Sequence, residues 1–453
     1  MSTFSAIQNR DIHYHLHPYT NAVKHQEVGP RVIERGEGIY VFDDQGNKYI
    51  EGMAGLWSVA VGFNEQRLVK AATRQMAKLP FYHTFSHKSH TPSVELAEKL
   101  VQLPEGRMRT AFFTNSGSEA NDTVIKMVWY YNNALDRPEK KKIIARNRGY
   151  HGVTVASASL TGLAPNHRGF DLPLPAMKHT TCPHYYREGR PGETEEDFAT
   201  RMADDLEALI LREGPETVAA FIGEPVMGAG GVIIPPSTYL DKIQAVCRKY
   251  DMLVIADEVI TGFGRLGTFF GSEKYDIQPD IMVLSKQITS SYLPLAAVLL
   301  NDKVNSVITQ HSGELGTFGH GYTASGHPVT TAVAIENLNI IQEKGLVENA
   351  AHTGQVLQSA LQALRDHPLV GEVRGTGLIA AVELVADKES RRPFDPLGSV
   401  GAAVYERAHE HGLIVRGIQD SIAFCPPLII TEDQVRDMVA RFATTLDEVH
   451  QTQ

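Results

Sequence analysis

The sequence predicts an α/β fold, a mostly parallel sheet covered by helices on both faces, followed by a smaller α+β unit. Three observations predict it. From about residue 95 to residue 300, short apolar runs alternate with longer stretches of helical periodicity. Two of those runs end abruptly in charge: Met252 to Ala256 leads into Asp257-Glu258, and Ile281 to Leu284 leads through Ser285 into Lys286. After Thr323 the pattern changes to two long amphipathic segments and then to shorter elements.

The elements follow in order. Tyr40-Val41-Phe42 and Lys48-Tyr49-Ile50 flank Asp43-Asp44-Gln45-Gly46, which is turn chemistry between two short strands. Helices are expected over 95–101, 118–134, 195–212 and 239–250. Strands are expected over 110–114, 142–145, 218–222, 252–256, 281–284 and 294–300. Such alternation gives parallel strands that are apolar throughout, because both of their faces are buried. Beyond the change in pattern, helices are expected over 325–343, 347–365, 400–411 and 433–449, and strands over 377–384, 413–415 and 421–424. The expected division is an N-terminal segment (1–60) packing with the small domain, a large domain (61–330) and a small C-terminal domain (331–453).

Composition narrows the function. The chain has 453 residues, 42% of them hydrophobic and 21% charged, as in ordinary globular proteins. Its net charge of -10 leaves no basic excess to neutralise phosphates, so no nucleic-acid partner is expected. The three cysteines, Cys182, Cys247 and Cys425, lie far apart without CxxC spacing. No disulfide framework or structural zinc site is expected, and a reducing cytoplasm fits. Met1 to Arg10 lacks a cationic start followed by an apolar stretch, so no signal peptide is expected. No apolar run approaches the ~20 residues that cross a bilayer, so no membrane role is expected.

In open α/β sheets, ligands bind just beyond the carboxyl ends of the strands. An amine (Lys286) and a carboxylate (Asp257) delivered to one such rim suit pyridoxal phosphate: the amine forms a Schiff base and the carboxylate keeps the pyridine nitrogen protonated. The alternative is an ordinary salt bridge between strand ends. Ser116-Gly117-Ser118 lies between a strand and the helix after it, where small residues and free amide hydrogens cradle a phosphate; Ser116 or Ser118 could instead simply cap the helix. In Tyr150-His151-Gly152 the tyrosine could stack on a flat heteroaromatic ring or pack at a loop. Glu224-Pro225 ends a strand and precedes a glycine cluster, Met227 to Gly231, that lacks the G-x-G-x-x-G order of dinucleotide sites. Thr323, in the glycine-rich stretch Thr317 to His327, sits where a helix is expected to open and could meet a phosphate oxygen or form a turn. Arg416, after a strand, could bind a carboxylate by two parallel hydrogen bonds or be solvated. His13, His15 and His17 alternate, and His184 follows Cys182, but neither group combines the ligands of a known site, so no metal is expected.

Taken together, Thr114 to Asp122, Asp257-Glu258-Val259, Gly262-Phe263-Gly264-Arg265 and Thr323 to Pro328 resemble a fold type I, class III aminotransferase dependent on pyridoxal phosphate, most of all the (S)-selective ω-amino acid–pyruvate transaminases. The resemblance runs from Gly55-Leu56-Trp57 to Phe424-Cys425-Pro426-Pro427. It implies a mostly parallel seven-stranded sheet between helices, with pyridoxal 5'-phosphate as cofactor and pyridoxamine phosphate as its intermediate form. It implies Lys286 as the Schiff-base lysine and proton shuttle, and Asp257 as partner of the pyridinium. Tyr150 and Val259 would face the two sides of the ring. Ser116, Gly117 and Ser118 would hold the phosphate, joined by Thr323 of a second subunit. His151 and Glu224 would support the cofactor. Tyr19, Trp57, Phe85 and Tyr150 would line the substrate pockets, with Arg416 as a mobile arginine for the keto acid's carboxylate. The implied partners are a small-molecule amine donor, a keto-acid acceptor and at least one further copy of the chain, sharing active sites. The chain departs from the pattern at Gln287, where glycine, asparagine or alanine is commoner, and at Ser291 and Ala296, where glycine is usual. Readings that keep the cofactor are an aminotransferase using 2-oxoglutarate or a diamine, an aminomutase and a decarboxylase.

Overall fold

Successive side chains on a strand point to opposite faces, so a strand covered on both sides must be apolar at every position. The central strands obey this. Leu253, Ile255, Ile281, Val283 and Val298 enter one apolar layer, and their sequence neighbours Val254, Ala256, Met282, Leu284 and Leu299 enter the other. The computed structural model describes residues 4–452. These strands belong to a sheet of seven, in the order Thr110–Thr114, Ala296–Leu300, Ile281–Leu284, Leu253–Asp257, Val218–Gly223, Lys142–Arg146 and Met177–Thr180. Ala296–Leu300 runs antiparallel to both of its neighbours, and the remaining pairings are parallel.

The helix Gly117–Ala134 covers one face through Ala120, Val124, Ile125 and Val128. The other face is covered by Glu195–Glu213, Tyr239–Lys249 and Pro328–Glu343. A second, antiparallel sheet takes Val370–Thr376, Ile379–Leu384, Ser421–Phe424 and Arg416–Ile418 in that order. Leu346–Gln362 and Ser399–Glu410 both pack on the last helix, Glu432–Gln451. A third sheet joins Ile33–Glu37, Tyr40–Asp43 and Lys48–Glu51 to Leu413–Ile414. The N-terminal segment is thereby tied to the C-terminal part of the chain. Among the described residues, no helix is long and apolar enough to cross a membrane.

Several expectations need correction. Met177–Thr180 is an edge strand of the main sheet that the sequence reading lacked, since Lys178 and His179 hide its apolar character. The strand expected over 413–415 is split: Leu413–Ile414 pairs with Lys48–Glu51, whereas Arg416 begins its own strand in the second sheet. Arg416 is therefore held by a ladder rather than trailing from a strand end. The helix expected from Ser325 begins at Pro328, because Gly326 adopts a φ of 61° and the His327 ring caps the helix by accepting the Val329 N–H. Thr323 thus stands in a loop before the helix. Helices over Ala6–Tyr14, Ala22–Val28 and Gln66–Lys78 also went unread.

Candidate active site

Strand register decides which side chains share a rim. Asp257 pairs with Val283, Gly223 with Ala256, and Ala297 with Leu284. Glu224, Asp257 and Lys286 therefore leave neighbouring strands at the same end. Thr114 pairs with Ala296, which brings the helix start at Gly117 to that end as well. A cavity of about 170 Å³ lies there, lined by Gly117, Ser118, Tyr150, His151, Glu224, Asp257, Val259 and Lys286, all eight singled out by the sequence. Asn121, Gly152, Ile260 and Ser285 complete its wall.

Lys286 is held in an unusual state. Its φ of 48° is in the left-handed region, which costs a side-chain-bearing residue about 1–3 kcal/mol. It is half-buried, and desolvation pushes its amine below the ordinary lysine pKa, opposed by the negative charges of Asp257 and Glu224. Beside it the Cys425 thiol, pushed by burial up to about 11, stays neutral. Asp257 is also buried, and burial alone would raise its pKa. The His151 ring, the Asn121 amide and the Val259 N–H outweigh that and hold the carboxyl below the usual range. Its Oδ2 accepts from His151 Nδ1 at 2.7 Å and from Asn121 Nδ2 at 3.0 Å, and its Oδ1 from the Val259 N–H at 3.1 Å. The site thus pairs an amine that burial drives toward neutrality with a carboxylate kept anionic.

The three residues expected to cradle a phosphate separate into different positions. Ser116 caps the helix: its hydroxyl accepts the Glu119 N–H at 3.2 Å. It is absent from the cavity wall, where Gly117 and Ser118 stand. First-turn N–H groups have no intrahelical acceptor, so these two positions present donors at the positive end of the helix dipole. Gly152 closes the cradle from the other side. A Cβ there would lie 2.7 Å from Ser118 Oγ and 2.3 Å from Ser157 Oγ, and its φ is 138°. Glu224 fixes the tyrosine loop, accepting the Tyr150 N–H at 3.1 Å and the Gly228 N–H at 2.9 Å.

The substrate candidates fall into two groups. Tyr19 and Arg416 gather around Tyr150, whose phenol pKa is raised by burial and by the Tyr19 hydroxyl. Tyr19 Oη accepts from Asn166 Nδ2 at 2.5 Å. Trp57 is buried against Val226 and Ile260, on a tight loop whose Gly55 N–H donates to the Glu51 carboxylate. Phe85 and Thr323 are exposed, as Tyr19 is, and like Tyr19, Trp57 and Arg416 they stand outside the wall of the ~170 Å³ cavity. Phe85 packs on the glycine-rich loop, 2.9 Å from where a Cβ on Gly321 would stand.

Residues that sequence reasoning missed mostly support the Lys286 loop. Asn121, within the Thr114 to Asp122 motif, holds Asp257 instead. Arg265 is fully buried and donates to the Leu378 carbonyl at 2.9 Å, the Pro426 carbonyl at 2.5 Å and Gln287 Oε1 at 3.2 Å. Gln287 in turn donates to the Ile260 and Gly262 carbonyls, and Asn337 donates to the carbonyls of Gln287 and Ile288. No local pattern signals such long-range amide bonds.

The cavity fits pyridoxal 5'-phosphate on its own terms. His151 Nε2 and Asn121 Oδ1 are buried polar atoms without a partner among the described residues. Asp257 keeps acceptor capacity on Oδ1, and the helix start offers unpaired N–H donors. Residues 21–446 match the family profile of class-III aminotransferases. The chain belongs to that family. This aminotransferase is 64% identical to the ω-transaminase of Pseudomonas jessenii, solved in complex with pyridoxamine phosphate, with a TM-score of 0.98 over 99% of each chain. A thermostable variant of such an ω-transaminase, altered at a tryptophan, a phenylalanine and an arginine for synthesis of bulky amines, is 63% identical, with a TM-score of 0.98 over 99% of this chain and 100% of that one. A mitochondrial γ-aminobutyrate transaminase of Solanum lycopersicum is 52% identical over 96% of this chain and 85% of its own length. The vanillin aminotransferase of Capsicum chinense is 49% identical over 96% and 95%. The aminotransferase is thus a pyridoxal phosphate enzyme acting on small-molecule amino donors and keto acceptors.

Proposed function

We propose that this aminotransferase moves an amino group from an ω-amino acid or primary amine to pyruvate or a similar keto acid by ping-pong kinetics, in a cytoplasmic homodimer or larger assembly with shared sites. The observation that carries the reading is the surroundings of Arg416. This half-buried guanidinium has the phenols of Tyr150, Tyr19 and Tyr405 as neighbours, a setting that leaves it able to receive a substrate carboxylate. The three side chains altered in the ω-transaminase variant match Trp57, Phe85 and Arg416 in type, order and spacing along the chain, which supports all three as substrate-facing.

The cofactor supplies an aldehyde that condenses with amines and a ring that withdraws electrons from the substrate's α-carbon. Within the proposal, Lys286 Nζ takes the proton from that carbon and returns it, as general base and then acid. Asp257, steadied by His151 and Asn121, keeps the ring nitrogen protonated. Tyr150 and Val259 would face the two sides of the ring, and the N–H groups of Gly117 and Ser118 would hold the phosphate. Thr323 and Phe85, exposed on their own chain, complete the partner's site. Arg416 pairs with the keto acid's carboxylate and withdraws when an uncharged amine enters. The divisions near residues 60 and 330 belong to the same proposal, supported by the three separate sheets.

The test is a panel of donors (β-alanine, γ-aminobutyrate, a diamine, 1-phenylethylamine) against pyruvate and 2-oxoglutarate. The reading expects pyruvate to exceed 2-oxoglutarate as acceptor with at least the ω-amino acids or the arylalkylamine. Preference for 2-oxoglutarate throughout, or carbon dioxide release without an acceptor, selects another reading.

A further inference from the structure

Four side chains that transamination does not use converge near the N-terminus. Asp11 lies in the helix Ala6–Tyr14, His15 and His17 follow it, and His25 comes from the helix Ala22–Val28. Asp11 Oδ2 stands 2.8 Å from His17 Nε2 and 3.0 Å from His25 Nε2, and Oδ1 stands 3.2 Å from His15 Nδ1. Ligand atoms of Asp11, His15 and His17 all lie within 4.8 Å of one another. The His17 ring centroid is 4.2 Å from that of His25 and 4.3 Å from that of His15. We propose that these four residues form a binding site for one divalent d-block cation, of which Zn²⁺ is the reference case.

Three arguments carry the proposal. The donor set is three imidazoles and one carboxylate, which suits Zn²⁺, Co²⁺, Ni²⁺ or Cu²⁺ and disfavours the oxygen-seeking Mg²⁺ and Ca²⁺. Three of the four donors are already gathered. With bonds of about 2.0–2.1 Å, neighbouring donors of a tetrahedral site stand about 3.3 Å apart. The separations of 2.8 to 3.2 Å run from Asp11 to each ring, and the ligand atoms of Asp11, His15 and His17 all lie within 4.8 Å of one another; His25 reaches Asp11 but stands outside that group, so its ring must turn inward to complete the set. The site is also accessible: His17 and His25 border two open cavities, one of about 260 Å³ that His15 also lines and a larger one of about 1140 Å³.

The site would act on the substrate pocket through the chain. Tyr19 lies in the connection between His17 and His25, at a φ of 51°, and its side chain stands beside Tyr150 and Arg416. An ion gripping both ends of that connection would fix the position of Tyr19. This coupling rests on the proposed function, whereas the ion site itself does not.

The test is calorimetric titration of ZnCl₂ into chelator-stripped holoenzyme. The expected result is one ion per chain. Asp11→Asn, His25→Ala and His15→Ala should each weaken binding by about tenfold or more. Co²⁺ in the wild type should give the intense visible bands of a tetrahedral nitrogen–oxygen site. Lys286→Ala should bind Zn²⁺ as the wild type does, which separates this site from the catalytic centre. Absence of one-site binding in the wild type overturns the proposal, as does unchanged affinity in the three ligand variants. His15 is exposed, so its variant folds even if the others fail, and unchanged affinity there alone is enough to overturn it.

Discussion

At the scale of single residues, the site separates two charges that water would leave alone. In the proposed mechanism Lys286 must be neutral to take a proton, and Asp257 must be anionic to keep one on the ring. Lys286→Ala should lower turnover by about 10⁴-fold or more while pyridoxal phosphate still binds, measured by activity and by equilibrium dialysis of the cofactor. Arg416→Ala should reduce the pyruvate half-reaction at least about tenfold more than the half-reaction with 1-phenylethylamine, read by stopped-flow absorbance; equal losses would remove its assigned role. Glu51 makes a pH prediction. Burial pushes its pKa up to about 8, only partly offset by the Gly55 and Met53 N–H groups. The folded protein therefore binds a proton that the unfolded chain releases near pH ~4.5, so stability falls as pH rises from there through about 8, by up to about 1.4 kcal/mol per unit. Glu51→Gln should flatten that slope in urea titrations. Asp257, with its lowered pKa, works in the opposite sense: its contribution is present above the unfolded value and is lost as pH falls through the folded one.

At the scale of elements, the turn after Lys286 explains the departures from the family pattern. Gln287 does not line the cavity. It is fully buried, accepting from Arg265 and donating to the Ile260 and Gly262 carbonyls, so it ties the Lys286 turn to the loop after Asp257. Gln287→Ala would leave three buried groups unpaired and should destabilise by about 2–4 kcal/mol, seen as a lower urea midpoint, with the donor profile unchanged. Ser290 and Ser291 follow at φ of 50° and 55°. Ser290 earns its strain, since its hydroxyl accepts the Ala60 and Val61 N–H groups and donates to Asn337. Ser291 is exposed in the conformation that glycine adopts freely, which is why glycine suits this position. Ser291→Gly should be neutral or stabilising, by no more than about 1 kcal/mol, because relief of strain is offset by a freer unfolded chain. Ala296 opens a strand buried on both faces, opposite Thr114, where its methyl joins the apolar layer.

At the scale of the molecule, Thr323 and Phe85 set a condition on assembly. Both are exposed and lie off their own cavity, and the proposed function assigns them to a partner's site, a role that requires a second copy. Light scattering should give at least twice the chain mass of 49.9 kDa. Lys286→Ala and Thr323→Ala chains, unfolded together and refolded as a mixture, should regain up to about a quarter of wild-type activity, since each mixed dimer holds one intact site. No recovery in proven mixed dimers would mean that Thr323 serves no partner.

Local signals made the chemistry legible from the sequence. An apolar run must stop where its strand meets the sheet rim, so Asp257, Lys286 and Glu224 could be placed before any coordinates, as could the small residues at the start of Gly117–Ala134. The same signals could not reveal pairings between residues far apart in the chain. Met177–Thr180 is polar enough to pass for a loop, and Arg416 reads as a strand end until its ladder is seen. Asn121 on Asp257 and Gln287 against Arg265 are contacts of side chains with long-range partners. The order of apolar and charged residues selects which groups reach the rim, because burial is a property of each run. Only the packed chain decides which polar atoms meet there, because a hydrogen bond depends on position to within a few tenths of an ångström and no run of sequence encodes that.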